Sequence, residues 1–94
     1  MSNLPFEITE INIRFIPSRG NLVGFASVLL NNCIVLNSIG LHSKIGGRLD
    51  ISFPAITHKN GTREFHHFPI NEPARKIIEE AINRKYQELM SEEE

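Results

Sequence analysis

Ninety-four residues, 40% of them apolar, make one domain with one core and leave no room for a second. No run is long and apolar enough to cross a bilayer, the single Cys33 cannot close an internal disulfide, and no charged-then-apolar leader precedes the first periodic stretch, so the expected compartment is the reducing cytoplasm. Ten Lys and Arg against eleven Asp and Glu give a net charge of −1, which is not the strongly basic balance of a dedicated nucleic-acid binder. Without Glu92, Glu93 and Glu94 the ten basic residues face eight acidic ones, a balance of +2, so the chain divides into a mildly positive domain over 1–90 and an acidic tail over 91–94. A domain of this size without disulfides or metal often gains its last few kcal/mol from a partner subunit, which makes an oligomer the expectation.

Ile8 to Ile16 sets Ile11, Ile13 and Phe15 on one parity and Glu10, Asn12 and Arg14 on the other, the period-two pattern of a half-buried strand. Pro17-Ser18-Arg19-Gly20-Asn21 then has the composition of a chain reversal. Leu22 to Leu30 is apolar on both parities and predicts a strand with cover on both faces. Asn31-Asn32 tolerates the positive φ of a tight hairpin, after which Cys33 to Leu41 resumes as a second apolar strand, so these two form the expected centre of a sheet. Beyond Gly46-Gly47, Leu49, Ile51 and Phe53 alternate with Arg48, Asp50 and Ser52 as a strand with one wet face. Pro54 ends it, and Asn60-Gly61 marks a turn before a last short extended piece, Arg63 to Phe68.

Asn71 as N-cap, Glu72 at the positive end of the dipole and Pro73 in the first turn mark the start of a helix. Ala74, Ile77, Ile78, Ala81, Ile82, Tyr86 and Leu89 follow the helical period, while Lys76, Glu80, Arg84 and Glu88 form a charged series four residues apart on another face. The predicted fold class is α+β: an antiparallel sheet of about five strands with one C-terminal helix packed on it.

Residues that could carry chemistry have ordinary readings beside them. His66-His67 resembles a metal pair, but neighbours in a strand point to opposite faces, and His42, His58 and Cys33 add no ligand at a recognised spacing, so no metal or cofactor is expected. Asp50 and Glu64 are the one carboxylate pair that adjacent strands could bring together, read as two solvated carboxylates, so no enzyme is expected. Gly46-Gly47 lacks the spacing and following helix of a phosphate loop and reads as a turn.

The basic residues form two groups. Lys44, Arg48, Lys59 and Arg63 surround the turns flanking the wet fourth strand; Arg75, Lys76, Arg84 and Lys85 lie on the helix, diluted by Glu79, Glu80 and Glu88. A phosphate contact needs a cation free of nearby acids, so the turn group is the better candidate. On composition alone these charges read as surface charge that guards an exposed sheet edge.

From about Ile8 to Tyr86 the chain resembles the SpoVG family, the stage V sporulation protein G or septation-regulator family. The resemblance rests on the order and spacing of Ile8-Thr9-Glu10-Ile11-Asn12-Ile13-Arg14, Gly24-Phe25-Ala26-Ser27-Val28 leading into Asn32-Cys33-Ile34-Val35-Leu36, and Ile39. It continues through Gly47-Arg48-Leu49-Asp50-Ile51-Ser52-Phe53-Pro54, the turn Asn60-Gly61, and Pro69-Ile70-Asn71 before Arg75-Lys76-Ile77. It implies a small homodimer with a sheet and a C-terminal helix, active in bacterial gene regulation through binding of DNA or RNA. In the family the loop after Pro54 carries two adjacent Lys or Arg residues implicated in nucleic-acid contact, and this chain has Lys59 there. It also has His66-His67-Phe68 where one His usually precedes Pro-Ile/Leu-Asn.

The combined expectation is a non-catalytic regulator that captures the phosphate backbone with Lys44, Arg48, Lys59 and Arg63 of two copies, helped by Arg75 and Lys76, the second copy also supplying the missing cover for the two apolar strands. The alternative is a protein-interaction module of the same fold without nucleic-acid binding. Neither a membrane nor a small-molecule substrate is expected as a partner.

Overall fold

In the computed structural model, which describes residues 6–92, four strands form one antiparallel sheet in the order β1 (Ile8–Arg19), β2 (Leu22–Leu30), β3 (Ile34–Ser43) and β4 (Leu49–Ser52). Two short strands, β5 (Ala55–Thr57) and β6 (Arg63–Phe65), pair only with each other, and a single helix, α1 (Glu72–Glu92), closes the chain. The α+β reading holds, but the expected sheet of about five strands is six strands split four and two. Residues after Pro54 turn away from β4 and find their own partner across the Asn60-Gly61 turn.

β2 matches its predicted bounds and sits with β3 in the middle of the sheet. Asn31 and Asn32 take φ of 50° and 54°, and the Cys33 amide donates to the Leu30 carbonyl at 2.9 Å, so both asparagines accept the left-handed conformation that a two-residue hairpin demands. β1 runs three residues beyond expectation, through Pro17 to Arg19, and the reversal moves to Gly20 and Asn21. A proline is tolerated here because β1 is an edge strand, and a register shift between Phe15 and Arg19 absorbs the extra residues.

A second irregularity sets the faces of β3. Ala26 opposes Ile39 and Val28 opposes Leu36, so β3 carries one extra residue at Asn37-Ser38, where Ser38 has φ of 63°. That bulge puts Leu36, Ile39 and Leu41 on the same side although their spacing breaks strict alternation. With Ala26, Val28, Leu49, Ile51 and Phe53 they face α1, whose Ile78 and Ile82 complete the core. Gly24 lies in this face where β1 comes close: a Cβ would stand 2.5 Å from the Arg14 carbonyl oxygen.

The helix begins as its residues dictate. Asn71 Oδ1 accepts from the Ala74 amide at 2.9 Å, and the Asn71 carbonyl accepts the first helical bond from Arg75 at 3.1 Å. Lys76, Glu80, Arg84 and Glu88 are all exposed, while Ala74, Ile78 and Ile82 are buried. α1 runs through Glu92; Glu93 and Glu94 of the expected acidic tail lie outside the described residues.

The cover expected on both faces of β2 and β3 comes from this chain on one face. The other carries Phe25, Ser27 and Leu29, half-buried, with Val35 at 50% exposure and the polar Glu10, Asn12 and Arg14 of β1 beside them. It is a mixed surface, less greasy than the sequence pattern implies.

Candidate nucleic-acid interface

The positions of the basic side chains follow from how α1 lies along β4. Every fourth helix residue on that flank, Arg75, Glu79 and Asn83, with Gln87 one turn further, is polar. Asn83, only 4% exposed, accepts from the Leu49 amide with Oδ1 at 2.8 Å and donates from Nδ2 to the Leu49 carbonyl at 3.1 Å and to the Glu79 carbonyl at 3.0 Å. Arg75 donates to the Ile51 carbonyl at 3.4 Å, and Gln87 to the Gly47 carbonyl at 3.1 Å. Helix side chains thus stand where a fifth strand would, meeting the outward polar groups of β4. Asn83 carries most of this closure and was not singled out in the sequence. Its only signal there is a polar stripe at helical spacing, which reads equally well as a solvated face.

This geometry splits the six predicted residues. Lys44 and Arg48 close the β3–β4 turn, where the Lys44 amide donates to the Arg48 carbonyl at 3.0 Å, and Arg48 shares a shallow depression with Arg84 and Gln87. Arg75 and Lys76 sit at the other end of α1, about 18 Å away along the helix axis if measured from Arg75 to Gln87. Arg63 belongs with this second set, because it and Arg75 line one cleft. Lys59 lies in the turn between β5 and β6, where the Gly61 amide donates to the His58 carbonyl at 2.9 Å and Gly61 itself has φ of 88°. The turn group expected around the fourth strand is therefore two groups, one at each end of β4.

Ion pairing separates them further. Arg75 Nη2 is 3.8 Å from Asp50 and 3.8 Å from Glu79, so its charge is shared with two acids. Lys44, Arg48, Lys59, Arg63 and Lys76 make no ion pair among the described residues. Asp50 and Glu64, read from the sequence as two solvated carboxylates, are both exposed and lie in different sheets: Asp50 faces Arg75, and Glu64 bonds His58 Nε2 at 2.9 Å. His66 is exposed, whereas His67 turns inward and bonds the Asn37 carbonyl at the β3 bulge, 3.0 Å from Nε2. A carbonyl only accepts, so Nε2 donates in this bond, and Nδ1 is buried with no hydrogen-bond partner among the described residues. Among the described residues no three His, Cys, Asp or Glu side chains gather as a metal site, and no helix is long and apolar enough to cross a membrane.

Aromatic side chains also gather at the Arg63 end. The Arg63 guanidinium lies 5.1 Å from the ring centre of Phe65, and Phe65 and Phe68 stand 5.4 Å apart at a tilt of 52°. Both rings remain well exposed, Phe65 at 41% and Phe68 at 54%. In the sequence these cations stand out by charge, whereas the two rings carry no signal of exposure.

The pattern of the SpoVG family matches residues 6–88, nearly the whole described chain. The chain belongs to the SpoVG family. It is similar to a protein of Phytoplasma australiense named "Putative septation protein SpoVG", 34% identical over 86 residues that cover 90% of this chain and 88% of the relative. A Clostridium beijerinckii protein of the same name is 34% identical over 89 residues, covering 93% and 94% of the two chains, and one from Caldicellulosiruptor bescii is 28% identical over 85 residues, covering 90% and 96%. This membership bears out the resemblance read from the strand and turn strings. Between Pro54 and Gly61 the chain carries Lys59 as the one lysine or arginine.

Proposed function

We propose that the protein is a non-catalytic regulator that binds DNA or RNA as a homodimer, acting in the septation process that its relatives' names indicate. The observation that carries this reading is the set of cations without an ion pair among the described residues, Lys59, Arg63 and Lys76, on the β5–β6 arm and the helix start. Cations without acid partners release counterions on meeting phosphate, which makes binding salt-dependent. In a titration of labelled random oligonucleotides at two salt concentrations, the wild-type protein binds more weakly at the higher one. The double variant Lys59→Glu/Arg63→Glu loses at least about tenfold in affinity at low salt, and the slope of log K against log salt falls by about one unit per lost contact. Absence of binding to any oligonucleotide at low salt sinks this reading and favours a protein-interaction module.

The second copy is best accommodated on β1. With β4 met by α1, β1 is the other edge of the four-stranded sheet, and among the described residues no strand pairs with its outer side. Its sequence is self-complementary: an antiparallel pairing centred on Asn12 sets Glu10 against Arg14 of the other copy twice over, and Ile11 against Ile13. Sedimentation is expected to show a dimer for the wild type, a weakened dimer for Glu10→Arg, and recovery in Glu10→Arg/Arg14→Glu. A wild type that stays monomeric at high concentration removes the two-copy platform.

A further inference from the structure

We infer that the cleft beside Phe65 and Phe68 is a base-stacking site that gives the protein a preference for single-stranded nucleic acid. The inference rests on the nucleic-acid reading above and deepens it. Four features meet here. Phe65 and Phe68 stay 41% and 54% exposed where burial would be the norm for phenylalanine. They border a cleft of about 520 Å³ whose walls include Arg63, Arg75, Ile70 and Asn71. Arg63 lies over Phe65 with its guanidinium 5.1 Å from the ring centre, which adds a second planar group on which a base can stack beside the more exposed Phe68. Lys59 and Lys76, without acid partners among the described residues, lie on the arm and the helix start that border the cleft, where a backbone running past it would meet them.

Stacking needs an unpaired base. A duplex keeps its base faces covered by their neighbours, whereas single strands can place a base on an aromatic ring while phosphates run along adjacent cations. Every base has such a face, so the site is tolerant of sequence. A second copy of this chain is the less suitable occupant, because the patch is interrupted by Arg63, Arg75 and Glu72, and the centres of protein interfaces are depleted in charge.

The chain has no tryptophan, so Phe68→Trp introduces a single reporter at the cleft. Oligo(dT) and oligo(U) are expected to quench its fluorescence, with affinity close to that of the wild type, and both to bind more tightly than a duplex of the same length. Phe65→Ala/Phe68→Ala is expected to lose roughly 10- to 100-fold in single-strand affinity while the salt slope stays unchanged, since no phosphate contact is removed. Phe68→Leu, which keeps apolar bulk without the ring, behaves like the alanine variant. Helical circular dichroism and the denaturation midpoint check that each variant is folded. Wild-type binding that is indifferent to these substitutions, or equal for single and double strands, overturns the stacking site and leaves the electrostatic reading standing. A shift of the double variant from dimer to monomer in sedimentation also overturns it, assigning the rings to a subunit contact. Failure of the wild type to bind any oligonucleotide removes both.

Discussion

Asn83→Ala is expected to lower the free energy of unfolding by about 2–4 kcal/mol, a drop read as an earlier urea midpoint at unchanged slope. The reason lies in what the amide serves. Its two ends satisfy both the amide and the carbonyl of Leu49 in a place sealed from solvent, and truncation leaves both unpaired, each costing about 1–3 kcal/mol. Asn83→Asp tests the chemistry apart from the volume: a carboxylate still accepts from the Leu49 amide but meets the Leu49 and Glu79 carbonyls with lone pairs, so it too destabilises. An unfolding free energy within about 0.5 kcal/mol of wild type for both variants, the range of an ordinary surface substitution, shows that α1 does not close β4.

Ile82→Ala is the second large effect, about 2–5 kcal/mol by the same measurement. Ile82 has no exposed surface and packs with Ile78 against the inner face of the sheet, so the lost methyl groups leave a void that the sheet cannot refill. Ile77→Ala, on a half-buried position of the same helix, costs less. Since domains of this kind hold about 5–15 kcal/mol in total, Ile82→Ala also lowers the fraction folded measurably at physiological temperature. Equal costs at positions 77 and 82 contradict the placement of the helix.

What could be read from the chain was local. Leu22–Leu30 was fixed by its apolar run between two turn signals, and the start of α1 by Asn71, Glu72 and Pro73, all interactions between residues a few positions apart. The features that escaped depend on contacts distant in sequence. Nothing near Asn37-Ser38 announces a bulge, because its value lies in keeping Leu36 and Ile39 on one face opposite β2. Pro17 looked like the end of a strand because an edge position, where it is tolerated, is known only once the sheet order is known.

The candidate site divides along the same line. Each basic residue was visible by type, yet Lys44 and Arg48 were separated from Arg63 and Arg75 only when α1 took its place along β4. Phe65 and Phe68 read as ordinary strand residues of the extended piece Arg63 to Phe68, but β6 ends at Phe65 and Phe68 lies beyond it, so neither ring's exposure is legible in the sequence. Asn83 was hidden in a different way: an amide on a helix is a surface residue by default, and its burial follows from Leu49, thirty-four positions earlier.

The unequal treatment of the two sheet margins also limits how large an assembly can grow. A β-sheet with both margins bare can recruit copies without end, which is the route to fibres. Here the helix occupies one margin, so two molecules joined along their β1 strands would spend the remaining one on each other, and recruitment through this sheet would halt at the pair.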